Sequence, residues 1–389
     1  MLAVIAQQKS QTVVIFRASI VFRSWRLKIL QVISGKTVNG AMTYCKFVSQ
    51  QLTALGHEVT ILGRPDGWIR DNVDSSIQFL PSELSRSPSE ISRVAKWVKA
   101  NHIDVVHTHM SRGHAFGVLL RMMTGVPVVA TAHNQSFQLH WRMNDYVIAN
   151  SQATYDYQRR INRVANRQME TVHCFTDLER FKHVKPLDVT IVRRQMRLKG
   201  DEFLVGVVGE VVARKGHLYL FEALSRVVKE IPKLKLVLLG RFNRNEAYVK
   251  KLRAIQLRDK IFCHVKWLGL RWNIQDFMAA FDLTVVPSVE EPLGLVALES
   301  MAAGTPVVAS DTGGLPEIVR PGENGLLVPP KSPGALADAI IKMATASESE
   351  RQRLGDNGRQ MVQVEFDPQL LTRQVESVFH RVVATKRAA

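Results

Sequence analysis

Ser288-Val-Glu-Glu-Pro-Leu-Gly-Leu-Val-Ala-Leu-Glu-Ser-Met-Ala-Ala-Gly-Thr-Pro-Val-Val-Ala-Ser310 decides the fold. It follows an apolar run at 283–287 with the length of a buried strand, turns at Pro292 and Gly294, and continues as a helix over 295–303. The first amides of such a helix, from Gly294 through Leu295 to Val296, have no partner inside it and make a site for an anion such as a diphosphate. Glu291 stands before the turn and Glu299 on the helix, so two carboxylates flank whatever binds there and can accept hydrogen bonds from vicinal hydroxyls. Two acids eight residues apart usually describe nothing more than a solvated surface. Spacing alone names neither ligand nor reaction.

The same strand, turn and helix alternation recurs outward in both directions, which is the pattern of a parallel α/β sheet. Toward the N-terminus, strands are predicted at 27–34, 59–62, 103–107, 126–132 and 146–150; Met42, Cys45, Val48, Leu52 and Leu55 recur at helical spacing and Gly56 ends that helix. A second series runs through 203–208, 235–239, 261–266, 283–287 and 305–309. A chain of 389 residues exceeds what one core usually supports, so the two series predict two sheets joined near 184–200. Asp367 and Pro368 open a last helix whose apolar face, Leu371, Val375, Val378, Phe379 and Val382, requires a docking surface.

Composition bounds the partners. The 52 Lys and Arg against 35 Asp and Glu give +17, concentrated in the first 200 residues. Such a balance suits ordinary solubility, a phosphate-rich partner or an anionic membrane surface. The chain lacks aromatic-rich RNA motifs, a helix-turn-helix signature and zinc ligands, so no nucleic-acid partner is expected. Cys45, Cys174 and Cys263 are odd in number and far apart, which fits a cytoplasmic protein without a disulfide framework. No apolar run reaches membrane-spanning length. Residues 1–26 alternate arginines with Phe16, Ile20, Phe22 and Trp25, a pattern that suits a membrane surface, a disordered extension or a wrongly assigned translation start.

Five stretches in order carry a resemblance: Gly209-Glu-Val-Val-Ala-Arg-Lys-Gly216, Val265-Lys-Trp-Leu-Gly269, Phe281-Asp-Leu-Thr-Val-Val-Pro-Ser288, the Glu291 to Glu299 element, and Gly313-Gly-Leu-Pro-Glu-Ile-Val319 followed by Gly325-Leu-Leu-Val-Pro329. Together they resemble family 4 of the retaining glycosyltransferases. The resemblance implies the GT-B fold: two Rossmann-like domains with parallel sheets facing across a cleft. Its expected parts are an N-terminal extension (1–26), an acceptor domain (27–185), a donor domain (200–365) and a C-terminal helix (366–389) crossing back to the first domain. It also implies transfer of a sugar from a nucleoside diphosphate sugar to a glycan or lipid-linked hydroxyl, cytoplasmic or peripheral on the membrane, with no metal and no other cofactor.

Residue by residue, the resemblance places Glu299 on the nucleotide ribose, Glu291 on the donor sugar and Lys215 on the diphosphate, with Gly40, Leu268, Gly294, Leu295 and Val296 also lining the donor. His133, in Val128-Val-Ala-Thr-Ala-His-Asn134, stands where a family histidine approaches the transferred sugar, to bond a hydroxyl or lend polarity at the anomeric centre. The chain departs from the family at Glu210, where an arginine usually makes a second phosphate contact; Arg214 or Arg241 is the expected substitute. Asn39 replaces a common glycine and Met42 a common acid in the first loop, and 174–181 differs from the family's exit from the first domain. His107 and His109, two apart on one strand, are expected to line the cleft floor. Loss of transfer, leaving a nucleotide-sugar binding partner, is the rival reading.

Overall fold

The computed structural model describes residues 25–388, so the basic segment read over 1–26 lies outside it except for its last two residues. The first sheet holds β1 (Lys28–Ile33), β2 (Glu58–Gly63), β3 (Gln78–Pro81), β4 (Val105–His109), β5 (Val128–Ala132), β6 (Tyr146–Ala149) and β7 (Met169–Thr171), ordered β3-β2-β1-β4-β5-β6-β7. The second holds β8 (Phe203–Val208), β9 (Leu234–Leu239), β10 (Val265–Gly269), β11 (Leu283–Val286), β12 (Val307–Ser310) and β13 (Gly325–Val328), ordered β10-β9-β8-β11-β12-β13. All the strand pairings are parallel. Helices cover both faces of each sheet, which is why central strands such as β4 and β11 are buried along their whole length.

Strand order reverses between β1 and β4 in the first sheet and between β8 and β11 in the second. At such a point the outgoing loops part and leave a crevice beyond the carboxyl ends of the strands. Register brings those ends level: Ile33 lies opposite both Gly63 and His109, and His109 opposite Thr131. The loops after β1, β4 and β5 therefore leave along one edge, and those after β8, β9 and β11 along its counterpart.

Three strands, β3, β7 and β13, were not foreseen, and β10 begins four residues later than the apolar run at 261–266 suggests. Residues Phe262–His264 form a 3₁₀ turn in which Phe262 points into solvent, so an apolar residue there does not mark a buried strand. The joining segment is itself a helix, Pro186–Gln195. Arg193 fastens it to the second domain through the Ala280 carbonyl at 2.9 Å, Asp282 at 3.3 Å and the Glu202 carbonyl at 2.7 Å.

The last helix, Pro368–Ala388, starts where expected, with the Asp367 carboxylate accepting the Leu370 amide at 2.8 Å. Leu371, Val375, Val378, Phe379 and Val382 are all buried. The helix packs on the helix Gly40–Ala54 of the first domain, with the Phe379 ring against His107. Arg381 pairs with Glu170 and Arg387 with Asp104, each at 2.7 Å. At the centre, His57 Nδ1 accepts the Leu27 amide at 3.1 Å, so a neutral His57 carries its proton on Nε2 and donates it to Glu376 at 2.9 Å. His380 Nδ1 likewise accepts from the Trp25 indole at 2.6 Å. His57, Glu376 and His380 cluster closely enough to suggest a metal, but both imidazoles use Nδ1 as an acceptor and so aim Nε2–H inward. A metal-binding histidine needs the reverse arrangement, its second nitrogen donating. The trio is a hydrogen-bonded dock.

Candidate active site

Lys215, Glu291, Gly294, Leu295, Val296 and Glu299 of the expected donor set gather at the reversal point of the second sheet. After β8, the chain passes Gly209 and Glu210, makes a 3₁₀ turn over Ala213–Lys215 and enters the helix His217–Glu230 through Gly216. Gly216 has φ +69, and a Cβ on it would lie 1.7 Å from the Pro287 carbonyl oxygen. Only glycine lets this turn press against the end of β11. That contact sets Lys215 beside Glu291: Lys215 Nζ lies 2.5 Å from Glu291 Oε2, which also accepts from the Ser288 hydroxyl at 3.0 Å. Arg214 assists through its backbone, its carbonyl accepting the Val289 amide at 2.8 Å and the Glu290 amide at 3.3 Å, while its side chain stands in solvent.

Next comes the helix Leu295–Ala302. Its N-cap is Gly294, which has no capping side chain, and among the described residues no acceptor pairs with the amides of Gly294, Leu295 or Val296. The loop before it is pinned from behind by Gly313 and Gly314: the Gly314 amide donates to the Glu291 carbonyl at 3.0 Å, and a Cβ on Gly313, at φ +57, would fall 1.8 Å from that oxygen. Glu299, one turn into the helix, accepts from the Thr176 hydroxyl of the first domain at 3.1 Å. Burial lifts its carboxyl above the ordinary range, against the pull of Arg180, the Thr176 hydroxyl and Lys215. One ammonium, three open amides and two carboxylates thus converge on one crevice. It can hold an anion and hydroxyl groups side by side.

Glu210 stands half exposed beside the cleft. It pairs with Arg241 at 3.6 Å, and Arg241 also donates to Thr37 Oγ1 across the cleft at 3.2 Å. Arg241, Glu210, Val211, Phe242 and Arg244 line a shallow cavity of about 300 Å³ beside the ends of β8 and β9. Leu268, in the edge strand β10, packs its side chain on the apolar core.

The first domain contributes differently. Gly40 faces the second domain closely enough that a Cβ would sit 3.1 Å from Leu295 Cδ1. Asn39 caps the helix Gly40–Ala54, its side chain accepting the Ala41 and Met42 amides, and its extended φ of −157 makes no demand for glycine. Met42 is wholly buried, so no acid is presented there. His133 follows β5 and joins a chain of histidines: its Nε2 lies 2.9 Å from His109 Nδ1, and His109 Nε2 lies 2.9 Å from Gln31 Oε1. The Gln31 oxygen can only accept, which fixes the protons so that His133 Nε2–H donates to His109. His133 Nδ1 is 3.8 Å from Cys174 Sγ. His107 and His109 do not line the cleft; both are fully buried, and His107 bonds the Thr131 hydroxyl at 2.7 Å. Burial pushes His107 and His133 down to about 3, so all three rings are neutral at physiological pH, His109 being held well below its ordinary value too.

Sequence reasoning missed the ties between the domains. Glu317 reaches the first domain, accepting the Gln152 and Ala153 amides at 2.9 and 3.0 Å and meeting His173 Nε2 at 2.9 Å. The Ser151 hydroxyl donates to the Pro292 carbonyl at 2.5 Å, one residue from Glu291. Glu317 stands in the stretch Gly313 to Val319, but its partners are more than 140 residues away, beyond any spacing rule.

Two family patterns cover most of the chain. Glycosyltransferase Family 4 matches residues 38–180, and Glycosyl transferases group 1 matches residues 188–361. The chain is 24% identical over 343 residues to N-acetyl-alpha-D-glucosaminyl L-malate synthase of Bacillus anthracis, covering 84% of each. It is 29% identical over 308 residues to the D-inositol 3-phosphate glycosyltransferase of Xylanimonas cellulosilytica, covering 72% of each. In three dimensions it is similar to Anabaena HepE, solved in complex with UDP and glucose, with a TM-score of 0.81 over 91% of this chain and 100% of that one at 23% identity. The fold is therefore GT-B.

Proposed function

The chain belongs to glycosyltransferase family 4, and from that premise we propose that it moves a sugar from a nucleoside diphosphate sugar to a hydroxyl acceptor with retention of anomeric configuration. One observation carries the reading: Lys215 and the open amides of Gly294, Leu295 and Val296 meet Glu291 and Glu299 at a strand-order reversal, facing Gly40 across the cleft. The cation and amides receive the diphosphate, Glu299 the ribose hydroxyls and Glu291 those of the sugar. In the reaction the bond from the anomeric carbon to the phosphate oxygen breaks and one to the acceptor oxygen forms on the same face. The acceptor proton passes to the departing phosphate oxygen. Lys215 and the amides stabilise the charge growing there, the task a metal performs in other transferases. Transfer accordingly needs no metal ion, and chelation with EDTA should leave the rate unchanged.

The acceptor is a hydroxyl of a glycan or lipid-linked glycan in polysaccharide, lipopolysaccharide or glycolipid synthesis, met in the cytoplasm or on the inner face of a membrane. A melting-temperature screen over uridine, guanosine, adenosine and cytidine diphosphates tests the donor site. Saturation at about 100 times the dissociation constant adds about 2.7 kcal/mol; no shift with any of them would reject the reading. The Glu210–Arg241 pair favours a second reading, a nucleotide-sugar binder without turnover, because it neutralises the cation expected at the phosphates. Release of nucleoside diphosphate during incubation with acceptors separates the two.

A further inference from the structure

On one face of the first domain large apolar side chains stand in water: Met122, Met123, Phe137, Leu139 and Met143, with Leu139 78% and Met122 66% exposed. The three segments around them are laced together. Gln138 bonds the Ser111 hydroxyl at the start of the helix Ser111–Thr124 and takes its own amide to Asn162 at 2.9 Å. Trp141 is wholly buried against His114 of that helix, and Arg121, next to Met122, holds Asp145, two residues from Met143, at 2.6 Å. Exposed large apolar side chains gathered on linked segments mark a contact surface.

Charge identifies what is contacted. Residues 112–168 contain seven arginines, no lysine and two acids, Asp145 and Asp156. Both acids are already engaged, with Arg121 and with Arg159 at 3.6 Å. Exposed Arg112, Arg142, Arg160, Arg163 and Arg167 remain on the same laced segments and the stretch that follows them. Exposed apolar side chains interspersed with guanidinium groups match the acyl boundary and headgroup layer of an anionic bilayer. A nucleic acid would want stacking aromatics, and Phe137 is the one phenylalanine, tyrosine or tryptophan among the exposed apolar residues of the patch. The patch also adjoins the cleft, since 134–138 continues directly from β5 past His133.

We infer that this face seats on an anionic lipid surface and thereby presents the first-domain side of the cleft to an acceptor anchored in the bilayer. The docking stands independently; the delivery of an acceptor rests on the transferase reading above. The full chain is to be sedimented with vesicles of equal parts phosphatidylglycerol and phosphatidylcholine, and with phosphatidylcholine alone. Binding to the first and not the second is expected, weakening as salt rises. Phe137→Ser with Leu139→Ser should weaken it at least about tenfold, and Arg142→Ala with Arg163→Ala roughly 30-fold, from about 1 kcal/mol per arginine near such a surface. Unchanged melting temperature and nucleoside diphosphate binding in both variants show that fold and cleft are intact. Equal binding to both vesicle types, or vesicle binding that neither variant weakens, overturns the inference; so does an RNA affinity that falls with the variants while vesicle binding holds. If vesicle binding follows the variants and no nucleoside diphosphate binds any form, the docking face stands and the transferase reading falls.

Discussion

The two sheets reverse strand order in the same way and furnish the resulting crevice with opposite chemistry. In the second domain the edge carries a partly buried ion pair, open amides and a carboxylate held above its ordinary range. In the first, neutral histidines beneath the edge are locked by hydrogen bonds to Gln31, Thr131 and one another. One side of the cleft is built to receive charge; the other rests on an uncharged, hydrogen-bonded layer that holds its shape. Topology places a site and leaves its chemistry open, so only the side chains tell the two apart.

The contrast breaks most visibly at Lys215. Lys215→Ala should lower turnover about 10²- to 10³-fold, the usual effect of removing one preorganised donor, measured as nucleoside diphosphate release under saturating donor. A loss under tenfold would move the charge-stabilising role to Arg214 or Arg241. Glu299→Gln keeps the shape and removes the charge, and should weaken nucleoside diphosphate binding about tenfold, as a charge-assisted hydrogen bond becomes a neutral one; titration calorimetry reads it directly.

The histidine side answers to acid. His107 and His133 have folded values of about 3 against 6.5 in the unfolded chain, so as pH falls below 6.5 the unfolded chain takes up protons that the folded one refuses. Stability is whole above 6.5 and is lost progressively down to about 3, at about tenfold in the folding equilibrium per pH unit for each histidine. His107→Gln should flatten that slope in urea melts between pH 6 and 4.5; an unaltered slope would show that the burial of His107 does not govern acid sensitivity. The smallest effect belongs to the half-exposed pair at the mouth. Glu210→Gln frees Arg241 and should tighten diphosphate binding only about three-fold, since exposed pairs are worth a few tenths of a kcal/mol to about 1. Tightening accompanied by turnover that the native chain lacks would favour the non-catalytic reading.

The same division marks what could be read without coordinates. The second domain's strands were legible because apolar runs mark them, β8 beginning and ending where its run does, whereas strand end, turn, helix start and two acids within 283–303 became a candidate site only through the resemblance, which alone adds Lys215, 76 residues from Glu291. The last helix was legible for the same reason, all five of its apolar positions being buried. The short strands β3 and β7 escaped notice because Gln78–Pro81 and Met169–Thr171 owe their extension to a neighbouring strand and not to their own composition. His107 and His109 were misplaced because alternation says which residues share a face of a strand and not whether a helix covers that face; Phe379 covers His107. Glu317 and Ser151 act only across the cleft, so their role exists in the folded chain alone.

The returning helix Pro368–Ala388 orders events in time as well as in space. During synthesis the first domain leaves the ribosome with the surface around His57 and the helix Gly40–Ala54 uncovered, and it waits there while the whole second domain is made. Domains ordinarily finish folding as they emerge, N-terminal first. Here the earliest domain to appear receives its cover last, and a ribosome that stalls before residue 368 releases a protein whose damage lies at the far end from the break.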